Sequence, residues 1–502
     1  MKNEIDYNLK NIYLTTFKNK SDRFYNIIWD NYYQSQNCRS INTYINLDYK
    51  NYKKKAVFEL NNIAKNLNKN KSLNNSMNIE NNFNFLNISI INEKSFYKDK
   101  FGSLNNLIKC IALCDIIKKN DIKSIRFNIP DYGVLLFLKN FCKKNTVKLK
   151  VDIKVYLVCF LQQITNKINF VIGLTKFLKF LLLRVNLPKP EHLDFKNKNR
   201  IFIDYLAYFN KEKFKLGKYD SMYWGNLFQK VRENDNYLHL HIFDPYCKMS
   251  KKEIYYGIKK LNANNKEDYF IADSLLNFRI ILKIFVSWLI MIMKIPLFKY
   301  RVKNTLSGKK DLNFFYIFKD NFVEFSIGFN GLLNLYFFYL FENISKKLKK
   351  NQIKRKFYYL CENQGWERSF LHSINKKINK VYPIIYTPIR FWDLRFSTHT
   401  FEKRKFLSKI TKICVMSKFS KLQLIRNDFP IKKIKIVEAL RYESYKKINF
   451  KKFEKNKYHK KILIIGDVYK KSNDQLEEYI LKLKDSKNLK FTAKPHPNKN
   501  FS

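Results

Sequence analysis

Short, mostly apolar runs recur along the chain, and between them apolar residues return at helical spacing. Residues 122–128 read as a strand, Pro130-Asp131 opens a helix through about Lys144, and 147–153 returns as a strand. Strand-like runs at 201–209 and 237–243 flank a helix expected over 223–232. Further on, 357–360, 382–386, 413–416 and 434–437 are each short, apolar and bounded by helical stretches. The last unit reads as a strand at 461–465, an amphipathic helix at 474–483 and a strand at 489–492. Repeated β-α-β of this kind predicts an α/β fold with parallel sheets and helices on both faces.

Other stretches break the alternation. Residues 61–82 are rich in Asn and Lys and read as a surface loop or linker. About 253–350 is more helical and apolar, with no clear strand series, and reads as an insertion. The Lys-dense segment 442–459 separates the last unit from the body. Two apolar segments invite a membrane test. Residues 170–185 carry Lys176, Lys179 and Arg184, and 280–298 hold a charge-free stretch only between Lys283 and Lys294. A spanning helix needs about 20 predominantly apolar residues, so neither qualifies cleanly. Helices lying in a membrane interface, helices packed in a protein interior and, least favoured, a true transmembrane span are the readings left.

A chain of 502 residues with 46% hydrophobic side chains buries cores for several domains and is not a disordered chain. Lys plus Arg number 97 against 42 Asp plus Glu, for a net charge of +55. The excess is almost all Lys and comes with abundant Asn, Ile, Tyr and Phe. Base composition of the gene, attraction to an anionic membrane face and nucleic-acid binding each account for such a bias. The scarcity of Arg and the lack of a binding motif argue against a specific nucleic acid. Eight cysteines without a CxxC pair, with Cys110 and Cys114 one helical turn apart in an apolar stretch, suit a reducing compartment. The first residues contain no apolar run of secretory type, so a cytoplasmic protein is expected.

The common phosphate, zinc and nucleophile fingerprints are missing, as is any Asp-x-Asp pair for a metal-held nucleotide diphosphate. No metal or other cofactor is therefore expected. His239 and His241 share a strand face without a third ligand and read as core or surface histidines. Three stretches stand out. Cys361-Glu362-Asn363-Gln364-Gly365-Trp366-Glu367 follows a strand, where a carboxylate faces the crevice in which α/β proteins bind ligands. Glu362 there suits a general base; the alternative is a helix cap made by Asn363 or Glu362. Arg390-Phe391-Trp392-Asp393-Leu394-Arg395 offers two cations for a phosphate or carboxylate and a ring for a sugar face, or else an internal Arg–Asp pair with Trp392 as packing. Lys494-Pro495-His496-Pro497 aims a cation and an imidazole out of a strand end, or else forms a Pro-rich turn.

ENQGWE, RFWDLR, VEALRY (437–442), LIIGD (463–467) and KPHP together resemble a family of surface carbohydrate biosynthesis proteins. YWGNL (223–227), with Tyr223 and Trp224, is similar to another of its landmarks. The resemblance covers roughly 200–502. It implies work on lipopolysaccharide or capsular glycans with a GT-B-like pair of Rossmann-type domains. KPHP also resembles the motif of polysialyltransferases, Kdo transferases and CDP-glycerol glycerophosphotransferases, whose donors are CMP- or CDP-activated. Carried over, this implies His496 and Lys494 as donor-phosphate ligands beside Gly466 and Asp467, with Glu362 as base. It further implies Arg390, Trp392, Asp393, Arg395, Tyr223 and Trp224 as the acceptor side.

The expected domains are then an N-terminal α/β region (1–153), a basic-apolar helical segment (154–192) and an acceptor-side Rossmann-like domain (193–450). The start of a donor-nucleotide domain follows (456–502). Two departures stand out. Tyr386-Thr387 occupy the place where the family is expected to carry a His. KPHP lies close to the chain end, so the donor domain reads as C-terminally truncated. The expected protein is a peripheral glycosyltransferase at the inner face of the cytoplasmic membrane, with a nucleotide-sugar donor and a lipid-linked glycan acceptor. A non-catalytic glycan-assembly protein and a basic nucleic-acid-binding protein are the alternatives.

Overall fold

Short, mostly apolar strands build two sheets that are parallel but for one edge pair. The structure, a computed structural model, describes residues 10–16, 25–30, 34–35, 38–69, 103–189, 198–225, 227–230, 236–244, 247, 249–264, 267–307, 314–349, 353–362, 364–374, 379–389, 391–396, 407–447, 460–466, 470–483 and 489–494. Two compact units, Met1–Arg441 and Tyr442–Ser502, divide the chain.

In the first unit the N-terminal sheet comprises β1 (Asn11–Thr15), β2 (Tyr25–Ile28), β3 (Gln34–Ser35), β4 (Cys38–Ser40), β5 (Ser124–Asn128) and β6 (Lys148–Val151). Their order is β3-β4-β2-β1-β5-β6, and only the β3–β4 pair is antiparallel. Its helices are α1 (Ile41–Leu47), α2 (Tyr49–Lys69), α3 (Ser103–Lys119), α4 (Tyr132–Lys144) and α5 (Ile153–Arg184). The Asp131 carboxylate caps α4, accepting from the Val134 amide at 2.8 Å. α2 runs on to Lys69, into the Asn/Lys-rich stretch expected as a loop. Neither residue type breaks a helix as Gly or Pro does.

The second sheet comprises β7 (Arg200–Tyr205), β8 (Tyr237–Ile242), β9 (Asp268–Ile271), β10 (Lys356–Leu360), β11 (Lys380–Ile385), β12 (Ile413–Val415) and β13 (Ile434–Ile436). All pairs are parallel, in the order β13-β12-β11-β10-β7-β8-β9. Its helices are α6 (Lys251–Asn264), α7 (Phe278–Ser307), α8 (Phe315–Ile327), α9 (Phe329–Lys349), α10 (Gly365–Ser373) and α11 (Lys418–Arg426). β9 lies inside the stretch expected to be helical, so α6 and β9 are a further β-α-β unit. The helix expected over 223–232 is replaced by a turn and a short helix at Leu227–Lys230. Gly225, with φ of 50°, takes the left-handed conformation that ends the turn.

The two faces of this sheet differ. One is mainly aliphatic: Ile201, Ile203, Leu238, Leu240 and Val381 share a core with residues of α5, α7, α9 and α10. The other carries an in-register ladder of rings over five strands, Tyr269–His239–Phe202–Tyr358–Tyr382. Successive rings lie 4.5, 5.5, 4.9 and 5.2 Å apart and nearly parallel. Among the parallel strands of each sheet the order reverses once, between β1 and β5 and between β7 and β10. Outside the carboxyl ends of strands at such a reversal lies the natural ligand crevice of an α/β sheet.

The second unit contains β14 (Lys460–Ile465), α12 (Lys470–Leu483) and β15 (Leu489–Lys494), with β14 and β15 paired in parallel. Among the described residues no helix is long and apolar enough to cross a membrane. All eight cysteines are free and buried.

Candidate active site

The chain leaves β10 at Leu360 and enters α10 through Cys361, Glu362 and Gln364. Glu367, in the first turn of α10, shapes this passage. Its Oε1 accepts from the amides of Glu362 (2.8 Å) and Gln364 (3.0 Å), and its Oε2 from Cys361 Sγ (3.2 Å). A Glu at the third helical position reaching back to the chain before the helix is the capping-box arrangement. Glu367 is only 1% exposed. Burial pushes its carboxyl up to about 7, although the donors from Gln364, Cys361 and Glu362 pull the other way. Because Glu367 holds these backbone amides, the Glu362 side chain is not spent as a cap.

Glu362 stands half-buried at the β7–β10 reversal. Its Oε1 accepts from the Tyr386 hydroxyl and its Oε2 from Gln364 Nε2. The Tyr386 and Tyr208 hydroxyls are 3.1 Å apart, and Tyr205 donates to Gln364 Oε1 at 2.5 Å. Burial raises the phenols of Tyr205 and Tyr208, and the nearby Glu362 charge adds to the shift, so both stay protonated. Glu362 is thus a carboxylate held in place by a hydroxyl and an amide donor. Such a group can accept a proton from a hydroxyl held in the crevice.

Tyr223 closes the ring of tyrosines, its centroid 4.4 Å from Tyr208 and 4.2 Å from Tyr386, with the Arg441 guanidinium 4.9 Å above it. The same residue lines a cleft of about 380 Å³ on the aromatic face of the sheet. Phe202, Tyr358 and Tyr382 of the ladder line it too, and Arg200, Lys356 and Lys435 come from the strand starts. Trp224 is also part of the lining but only 1% exposed, anchored by Nε1 donating to Asp204 Oδ2 at 2.7 Å. The other Asp204 oxygen meets His241 Nδ1 at 2.5 Å. Both histidines are fully buried; His239 is stacked in the ladder, and burial holds its pKa well below the usual range. Among the described residues no three His, Cys, Asp or Glu side chains cluster as metal ligands.

The remaining residues singled out in the sequence lie elsewhere. Trp392 packs against the core of the N-terminal sheet and Asp393 is buried; neither lines the cleft. Lys53 of α2 ties this segment down, donating to the Phe391 carbonyl at 2.6 Å and to Asn427 Oδ1 at 3.1 Å. Phe391 and Trp392 are both half-buried, Phe391 edge-on to Tyr49 of α2 with ring centroids 5.0 Å apart. Arg395 belongs to the turn Leu394–Phe396, and Arg390 lies outside the described residues. In the second unit, Lys494 ends β15 exposed, and its carbonyl accepts from the Gly466 amide at 2.8 Å. Asp467 and His496 lie outside the described residues. Tyr205 and Tyr208 carry no local signal in the sequence; Tyr386 stands out there only as the occupant of an expected His position, and Glu367 only through its stretch and the Gln364-x-x-Glu367 spacing. No family model, no curated protein and no solved structure matches this chain.

Proposed function

We propose that this chain is a metal-independent, inverting glycosyltransferase of the GT-B type. The observation that carries the reading is Glu362 at the β7–β10 reversal, oriented by Tyr386 and Gln364 beside an aromatic cleft. In this reading Glu362 takes the proton of an acceptor hydroxyl as its oxygen bonds to the anomeric carbon. The bond from that carbon to the donor phosphate breaks, and configuration inverts. Lys494 and His496, by the KPHP resemblance, stabilise the departing nucleotide phosphate. The donor is a CMP- or CDP-activated sugar and the acceptor a lipid-linked surface polysaccharide, which suits a peripheral protein at the inner face of the cytoplasmic membrane. Tyr386 stands where the family is expected to carry a His, and its bond to Glu362 gives the substitution a role in the same crevice.

The test is nucleotide release from CMP- and CDP-sugars by the full chain with a lipid-linked glycan acceptor. Glu362→Gln should lower release by about 10²- to 10⁴-fold, the range for a lost general base, with an unchanged melting temperature. Absence of both nucleotide binding and release would overturn the reading in favour of a non-catalytic assembly protein.

A further inference from the structure

α5 and α7 each carry two apolar stripes, yet the fold buries only one stripe of each. In α5 the buried stripe is Val155, Cys159, Gly173, Phe177, Leu181 and Arg184. A Cβ at Gly173 would meet the Phe329 amide nitrogen at 2.6 Å, so the inward side of α5 sits hard against the α8–α9 junction. Arg184 fixes the helix end through Asp273 Oδ1 at 2.8 Å. The outward side keeps Ile153 at 80% and Leu182 at 70% exposure, with Leu157, Leu161, Ile168 and Val171 also exposed between them. In α7 the buried stripe is Ile280, Ile284, Trp288, Met291 and Ile295. A second stripe at the same spacing, Phe278, Leu282, Val286, Leu289 and Met293, is exposed, with Phe278 at 78% and Met293 at 72%. The helices are neighbours over α9, with Phe177 and Phe285 rings 6.2 Å apart.

Exposed apolar stripes of this length mark an interaction site, and charge identifies the partner. Neither helix contains Asp or Glu. Lys154, Lys176, Lys179 and Arg279 are exposed beside the apolar side chains. Too interrupted by charge to span, such helices bury apolar side chains at the headgroup boundary while their cations meet anionic lipid. We infer that the outward faces of α5 and α7 form the docking surface for an anionic lipid bilayer. This deepens the peripheral-membrane part of the proposed function and rests on it; the experiment is independent of sugar transfer, so either can fail alone.

The full chain is sedimented with vesicles of phosphatidylcholine alone and of phosphatidylcholine with about one third phosphatidylglycerol. Binding to the anionic vesicles should be about tenfold or more tighter and should weaken in high salt. The triple variant Leu182→Ser, Leu289→Ser, Met293→Ser changes only exposed side chains and should keep the melting temperature. It should lose about tenfold or more of the anionic-vesicle binding. Unchanged binding of that variant would overturn the inference, since general surface charge would then suffice. So would absence of vesicle binding, with or without a dimer that the triple variant dissociates.

Discussion

The two strand-order reversals in the first unit make the same topological offer and are used oppositely. At the β1–β5 reversal the opening is filled. α4, which leaves the end of β5, meets α8 so closely that a Cβ on Gly133 would lie 2.9 Å from the Tyr316 carbonyl oxygen. Phe314 stacks on Phe137 at 4.9 Å, and Phe314, Ile317 and Leu394 join the N-terminal core. The polar groups nearby are paired among themselves: Asn106 donates to Asp131 at 2.8 Å, Asn128 to Tyr13 at 2.7 Å and Arg126 to Asp152 at 2.8 Å. At the β7–β10 reversal, tyrosines and a half-buried carboxylate leave a crevice beside a cleft. Topology thus supplies a place for chemistry, and local side chains decide whether it is filled or kept open.

This contrast can be broken by experiment. The largest effect belongs to the filled reversal, where Phe314→Ala should cost about 3–5 kcal/mol, read from the urea midpoint. A loss under about 1 kcal/mol would mean that the opening is not sealed by packing. Next comes Glu367, whose carboxyl is raised in the folded state to about 7. The folded protein then holds this proton more tightly than the unfolded chain. The resulting stability is full below the ordinary carboxyl range and lost as pH rises through about 7, on the order of 3 kcal/mol. Glu367→Gln keeps an acceptor for the two amides and should flatten this slope relative to the parent. Parallel curves between pH 4 and 8, about that range, would exclude Glu367 as its source. The smallest stability change belongs to the open reversal: Tyr386→Phe should cost about 1 kcal/mol or less while lowering nucleotide release about tenfold. A stability loss matching that of Phe314→Ala would make Tyr386 a packing residue and erase the contrast.

What the sequence disclosed follows the same division. Strands β7 and β10 to β13 stand out because each is an apolar run between helical stretches. β1, β2 and β4 do not stand out: NIYLT, YNII and CRS are too short to show a period and sit among Asn and Lys. β9, DYFI, is hidden by the apolar helices that follow it. Glu362 is legible as a carboxylate after a strand. Its tyrosine partners are not, because 33 tyrosines in the chain make any one unremarkable. Tyr205 and Tyr386 converge on the Glu362–Gln364 turn only through sheet order, a relation no local window contains. Trp392, conspicuous in the sequence, leaves both of its readings open there, and in the fold it packs half-buried against the core of the N-terminal sheet.

The ring ladder has a consequence for the growing chain. Phe202 and Tyr358 stack across the centre of the sheet but are far apart in sequence. While the ribosome adds the residues between them, β7, β8 and β9 can form only half a sheet, with the β7 edge unpaired. Contacts of such long sequence separation close slowly, and open strand edges are sticky while they wait. Only after Leu360 has been added can β7 gain its second neighbour and the stack of Phe202 on Tyr358 close the centre of the sheet.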